Sequence, residues 1–248
     1  GRVAAKYYVR TFDPAPSNVE DRIGSIGVGL PEEVSHNMFN EDVCAKKNIT
    51  LTTETGTIGG LPAMGMFFGM AIAPTRLVSS GSIFSMWKKH LHTACLGAVD
   101  VDELGNVNVS RRGPHISDVV GSGGFPNLVD SARHIVFVCS WAAHAHYTVD
   151  KKTGHLKILR AGKPKFLKNV GEITFCGRVA LDLGKTVVYC THVGVFQLTP
   201  RGLELIEVVP GVDVEKDILS FSKARIHVSE SLRVVSPSVM NGEGYTLL

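Results

Sequence analysis

The sequence lacks the features that would assign it to several large classes. It carries only five cysteines (Cys44, Cys95, Cys139, Cys176 and Cys190), an odd, widely spaced set with no CxxC pair. Most sit in apolar runs such as Phe175-Cys176 and Tyr189-Cys190. That pattern reads as buried, reduced thiols, excludes a disulfide framework and a structural zinc site, and fits the cytoplasm, or the mitochondrial matrix in a eukaryote. Charge of one sign is scarce: 26 Lys+Arg face 23 Asp+Glu, and aromatics make up 7%. With the signs interspersed there is no nucleic-acid footprint. Long apolar runs are missing too. The best candidate, Leu61 to Val78, is broken by Pro62, Gly65, Gly69, Pro74 and Arg76, which suits loops and short core elements and excludes a membrane partner. Gly1–Arg10 has no basic start, apolar core and cleavage site of a signal peptide.

What the chain does have is apolar mass and glycine. A 44% hydrophobic content over 248 residues is enough to bury a core. The 26 glycines are about a tenth of the chain against a usual ~7%, so where they cluster matters. Ser25–Leu30 reads as a short strand, and Pro31-Glu32-Glu33-Val34 opens a helix with proline and acids in its first turn. Ile49–Thr53 is a β-branched strand ending at Glu54, followed by five glycines within Gly56–Gly69, an extended ligand-facing loop region. His134–Cys139 is a buried strand. Hairpin signals follow at His144–Leu159 and across Thr186–Val208, and Asp213–Phe221 reads as a helix. These readings predict an α/β fold: an open, mixed, largely parallel sheet flanked by helices, with added antiparallel hairpins. Residues 1–228 are expected to form one domain, and 229–248 a poorly packed C-terminal extension.

Several motifs fail on inspection. Gly184-Lys185-Thr186 has Val179 where a phosphate loop needs glycine, and Gly27-Val28-Gly29 has Glu32 where a dinucleotide fingerprint needs its third. There is no GxSxG elbow and no HExxH. His144 and His146 alternate as if on one strand face but lack further metal ligands, so no metal is expected. One constellation survives. Glu54 ends a strand beside glycines, and no other acid lies between Asp42 and Asp100. It either caps loop amides or is a carboxylate nucleophile facing backbone oxyanion donors.

Thr52-Thr53-Glu54-Thr55-Gly56-Thr57-Ile58-Gly59-Gly60 resembles the E-x-G nucleophile segment of family I CoA transferases, most closely the acetate/3-oxoacid type. Gly27–Val34, Gly105–Ser110, Gly121–Phe125, Leu198–Leu205 and Pro210–Ile218 are similar to further segments of that family, in the same order. The resemblance covers the nucleophile-bearing, β-type half. It implies that CoA passes between an acyl-CoA and a short-chain acid (acetate, propionate or a 3-oxoacid) through a glutamyl-CoA thioester on Glu54. CoA is then a substrate and no cofactor is needed. Gly27, Val28, Gly29, Gly56, Gly123 and Gly124 would supply oxyanion and CoA contacts, and Asn106 or Asn108 would orient substrate. An α-type subunit or N-terminal half is the implied partner in a hetero-oligomer. A hydrolase using the same glutamate and a non-catalytic CoA-ester-binding subunit are the alternatives. One stretch departs: where the family resembles QFDFYDGGGLD, this chain has Ser82-Ile83-Phe84-Ser85-Met86-Trp87-Lys88-Lys89-His90-Leu91-His92. Lys88 and Lys89 there form either a CoA-phosphate contact or a solvated basic face.

Overall fold

The computed structural model describes residues 1–248, with seven α-helices and nineteen strands numbered along the chain. The chain divides into two compact units, and the first is discontinuous: Gly1–Gly97, Gly123–Val138 and Thr246–Leu248. Its sheet contains β1 (Ile23–Ile26), β2 (Thr50–Thr52), β3 (Thr57–Ile58), β6 (Arg76–Leu77), β7 (Leu91–Gly97) and β10 (His134–Val138) in the order β10-β7-β1-β2-β3-β6. The four strands β10, β7, β1 and β2 are parallel, and β3 and β6 add on antiparallel. Central β7 is buried from Leu91 to Leu96, the continuous burial expected of a strand covered on both faces. A small pair, β4 (Leu61–Pro62) and β5 (Ala71–Ile72), forms part of the region expected to be one extended loop.

The helices of this unit are α1 (Arg2–Arg10), α2 (Glu32–Asn40), α3 (Val43–Lys47), α4 (Ser80–His90) and α5 (Phe125–Ser131). Helix α1 buries Ala4, Ala5, Tyr8 and Val9, one stripe at helical spacing. Helix α2 carries Glu32 and Glu33 in its first turn, where the partial positive charge of the helix start favours acids. Helix α4 begins at a cap in which Ser79 Oγ accepts the Ser82 N–H, and its basic Lys88-Lys89-His90 end suits the opposite pole. Inside, the Trp87 indole N–H donates to Thr52 Oγ1 (2.9 Å), which donates on to the Gly24 carbonyl (2.9 Å). Helix α4 and strands β2 and β1 are thereby tied by one polar thread through an apolar core.

The second unit is Ala98–Ser122 and Cys139–Tyr245. Strands β16 (Thr186–Cys190), β17 (Gly194–Thr199) and β18 (Gly202–Val208) form an antiparallel meander, and β19 (Ile226–Val234) pairs parallel to β18. Shorter strands are β8 (Asp100–Asp102), β9 (Val107–Asn108), β11 (Ala142–Ala143), β12 (His146–Val149), β13 (Leu156–Arg160), β14 (Lys163–Pro164) and β15 (Phe166–Leu167), with helices α6 (Gly177–Asp182) and α7 (Pro237–Asn241). The core centres on Trp141, whose ring stacks on Phe196 (5.3 Å) and tilts against Phe166 (4.7 Å).

The α/β class with a largely parallel sheet and added antiparallel hairpins matches the sequence reading. Three details differ from that reading: the end of the expected domain, one histidine strand and the extent of one helix. Residue 228 is no boundary: it lies within β19, whose backbone bonds to β18, while Val235 and Val239 are buried. His144 has φ +57° and breaks the strand that was to carry it beside His146. The helix expected over 213–221 is present but shorter, a π-helix over Val214–Leu219, opened by Asp213, whose side chain accepts the Lys216 N–H. No helix is long and apolar enough to cross a membrane. All five cysteines are free thiols; burial raises Cys44 to about 11 and Cys139 to about 12, which leaves them protonated and unreactive at neutral pH.

Candidate active site

Glu54 follows the carboxyl end of β2, where parallel sheets put their ligand sites. Its position is set by a tight turn: the Gly56 N–H donates to the Thr53 carbonyl (3.1 Å), leaving Glu54 and Thr55 at the two corners. Gly56 has φ +102°, and a side chain there would collide with the Val78 carbonyl, so only glycine closes this turn. Behind the turn, the Thr53 hydroxyl reaches Thr57 Oγ1 (2.5 Å) and the Gly69 carbonyl (3.1 Å), and the Thr55 hydroxyl also donates to Gly69. The nucleophile candidate therefore projects from a turn fixed at both ends, with its half-buried carboxylate free to meet a ligand.

The other side of the carboxylate meets the start of α5. Glu54 Oε2 accepts the Gly124 N–H at 3.2 Å. Gly124 is the N-cap of that helix, so its N–H is one of the donors a helix start leaves open, and the dipole there favours an anion. Preceding it, Gly123 has φ +53°, and a Cβ on it would lie 3.9 and 4.0 Å from the two Glu54 oxygens. A Cβ on Gly124 would stand 2.5 Å from Oε2, so a side chain at 124 is incompatible with this arrangement. Of the glycines singled out in the sequence, 123 and 124 are the pair brought against Glu54.

The loop Gly27-Val28-Gly29 follows the carboxyl end of β1, but two of its amides are engaged elsewhere. Gly27 N–H donates to the Cys95 carbonyl (2.7 Å), and Gly29 N–H to Glu32 Oε1 (2.9 Å). The Gly56 amide is likewise taken up by its own turn. Val28 keeps an unengaged N–H and an exposed side chain. Sequence reasoning passed over Glu32 itself. It is 4% exposed, and its second oxygen accepts the Gly65 N–H (2.9 Å), so one buried carboxylate joins the loops at 29 and 65. The available signal was an acid directly after Pro31 among apolar residues, which reads as a helix-start charge unless the fold is known. Around this clamp Val28, Leu30, Met64, Met66, Phe67 and Met70 are exposed, Met66 at 89%.

Comparison with known proteins is decisive on ancestry. The chain is 35% identical over 199 residues to caffeate CoA-transferase of Acetobacterium woodii, covering 79% of this chain and 37% of that one. It is 35% identical, at 79% and 36% coverage, to acetate CoA-transferase YdiF of Escherichia coli strain K12. The chain is a homologue of the CoA-transferases. The crystal structure of acyl-CoA transferase YdiF from E. coli O157:H7 superposes with a TM-score of 0.80 at 28% identity, over 96% of this chain and 44% of the other. The same enzyme as a thioester complex with CoA gives 0.79 at 29% identity, over 95% and 44%. A shorter match, 28% over 122 residues and 46% of each chain, is to one of the subunits of 3-oxoadipate CoA-transferase from Pseudomonas knackmussii. No family model matches. The chain spans little more than a third of the length of the two longer curated relatives.

In this CoA-transferase homologue the two asparagines are held by their own unit. Asn106 Nδ2 donates to Asp102 Oδ2 (3.1 Å) while its Oδ1 accepts the Gly177 N–H (2.9 Å). Asn108 Nδ2 donates to the Arg111 carbonyl (2.6 Å) and Asp100 Oδ2 (3.2 Å), and its Oδ1 accepts from Ser110 and Arg111. Both are buried, and their amides are engaged with neighbours in the same unit. Burial raises the carboxyl of Asp100, which the Asn108 amide partly offsets. Lys88 and Lys89 are exposed on the last turn of α4, a placement that both readings of the pair share.

Proposed function

We propose that this chain is the nucleophile-bearing, β-type part of a CoA transferase that moves CoA from an acyl-CoA to a carboxylate through a glutamyl-CoA thioester on Glu54. The observation that carries this reading is the Glu54 carboxylate on its fixed turn with Oε2 on the Gly124 amide. Glu54 Oε1 attacks the acyl-CoA carbonyl and expels CoA thiolate, which gives a mixed anhydride. The thiolate then attacks the glutamyl carbonyl carbon, releases the first acid as its carboxylate, and leaves CoA in thioester linkage to Glu54. An acceptor acid reverses both steps. In the second attack the negative charge develops on Oε2, the atom that already faces the Gly124 N–H, so that donor is preorganised for the oxyanion. The thioester complex with CoA described for the related YdiF supports the same intermediate here.

An α-type half completes the enzyme in this reading. Two observations support it: the relatives are more than twice this chain's length, and Met64, Met66, Phe67 and Met70 form an exposed apolar surface beside the nucleophile turn, of the kind that marks a protein contact. The test is intact-mass spectrometry of the native assembly after incubation with acetyl-CoA, with the adduct mapped by peptide. A CoA adduct on the Glu54 peptide is the expected result, and adding an acceptor acid should discharge it to a new acyl-CoA. Release of free CoA and acid with no acyl-CoA formed means a hydrolase. An assembly with both parts present and no adduct overturns the reading.

A further inference from the structure

The wall beside Glu54 is aromatic. The point where a Gly124 Cβ would stand is 2.5 Å from Glu54 Oε2 and 3.3 and 3.4 Å from Phe84 Cε1 and Cζ. Carboxylate and ring edge therefore converge on one spot over the Gly124 backbone. Phe84 is half-buried, and its ring leans on Trp87 one turn along α4 (5.3 Å, 58°). Trp87 is itself fully buried and anchored by its N–H to Thr52, two residues before the nucleophile. Ring, buttress and nucleophile thus rest on one frame, and Phe84 is not a mobile surface side chain.

We infer that Phe84 is a specificity-determining residue that selects acids with an apolar tail larger than acetate, aryl or alkyl monocarboxylates, over dicarboxylates. This rests on Glu54 being the nucleophile. A substrate whose carbonyl carbon reaches Glu54 must carry its substituent past the Phe84 ring. An alkyl or aryl group gains contact with that edge and loses water. A second carboxylate loses its hydration there and finds no donor on the ring, which costs binding.

The experiment measures kcat/KM in the complete assembly for acetate, butanoate, hexanoate, 3-phenylpropanoate and glutarate as acceptors. Native enzyme, Phe84→Ala, Phe84→Leu and Glu54→Gln are compared. Native enzyme should prefer hexanoate and 3-phenylpropanoate to acetate, and acetate to glutarate. Phe84→Ala should lower the 3-phenylpropanoate-to-acetate ratio by about 10- to 100-fold, the range a few lost apolar groups give in a pocket. Phe84→Leu, which keeps apolar bulk, should retain the hexanoate preference while losing the aryl one, and guards against a folding defect in the alanine variant. A uniform change across all five acids, or glutarate used as well as hexanoate by native enzyme, overturns the assignment of Phe84 and leaves Glu54 untouched. Turnover that survives Glu54→Gln overturns the CoA-transfer reading, and this inference with it.

Discussion

Two glycine loops at the carboxyl edge of the same sheet have opposite uses. In Gly27-Val28-Gly29 both glycine amides bond within the scaffold, one to Cys95 and one to the buried Glu32. At Gly123-Gly124 the helix start directs its N–H outward to the Glu54 carboxylate. Both carry a positive-φ glycine, at 29 and at 123. What separates them is the neighbour: a scaffold carbonyl and an internal carboxylate take the donors of the first loop, whereas the second meets Glu54. Glycine content marks where a backbone can approach a ligand, and hydrogen-bond accounting decides whether it does.

The contrast can be broken at graded cost. Glu54→Gln keeps the side chain's shape but removes the proposed nucleophile, and should lower transfer by about 10⁴-fold or more in a steady-state assay of the assembly. Gly124→Ala puts a methyl 2.5 Å from Oε2, and should lower kcat by about 10²-fold with little change in melting temperature. Glu32→Ala strikes the first loop. It removes the acceptor that joins the Gly29 and Gly65 amides, both on exposed residues that water can reach, and should cost about 1–2 kcal/mol in urea unfolding. A full loss of kcat with unchanged stability would show that the first loop is also catalytic. Gly29→Ala meets no atom within 4 Å but must adopt φ +86°, so about 1 kcal/mol is expected, by the same measurement.

The smallest effect lies in the sheet below. His134 is pushed down to about 4 by burial, by His92 and by Arg133. His92 is also lowered by burial; its Nε2 donates to the Thr11 carbonyl, its Nδ1 is buried without a partner, and Asp21 pulls weakly the other way. A depressed histidine pKa means the unfolded chain binds more protons between about 6.5 and 4. Stability is therefore complete above pH 6.5 and declines as pH falls through that window. Melting temperature should drop modestly between about pH 7 and 5, and His134→Gln should flatten the dependence.

Elements with local signals were legible in the sequence: the helix start after Pro31, the β-branched strand before Glu54, the hairpin across Val149–Leu156, and the meander from Thr186 to Val208. Their patterns lie within a few residues, as does the placement of Glu54 at a strand end. What escaped depends on partners far along the chain. Helix α4 opens with Ser-Gly-Ser and is held by burial of Ile83 and Trp87, which composition does not announce. Polar β19 looks like a tail until β18 is there to pair with it. The Gly124 amide meets Glu54 across 70 positions, and Phe84 comes to the same spot from a third place in the chain, so neither meeting has a local trace. Asn106 and Asn108 look like free amides because nothing local in the sequence announces their pairing with Asp102 and Asp100.

The first unit leaves the sequence at Gly97 and resumes at Gly123. A chain growing on the ribosome therefore makes the glutamate, its turn and its strand long before it makes the amide that faces that glutamate. Until β10 emerges, β7 carries an open edge along seven residues, Leu91 to Gly97, that are largely apolar. Such an edge is a template for mispairing. Ribosome-released fragments ending within 98–122 should accumulate as aggregates, whereas fragments extended past Val138 gain a closed parallel pair and the start of α5. Synthesis order thus keeps Glu54 without its amide partner until the second segment of the unit has been made.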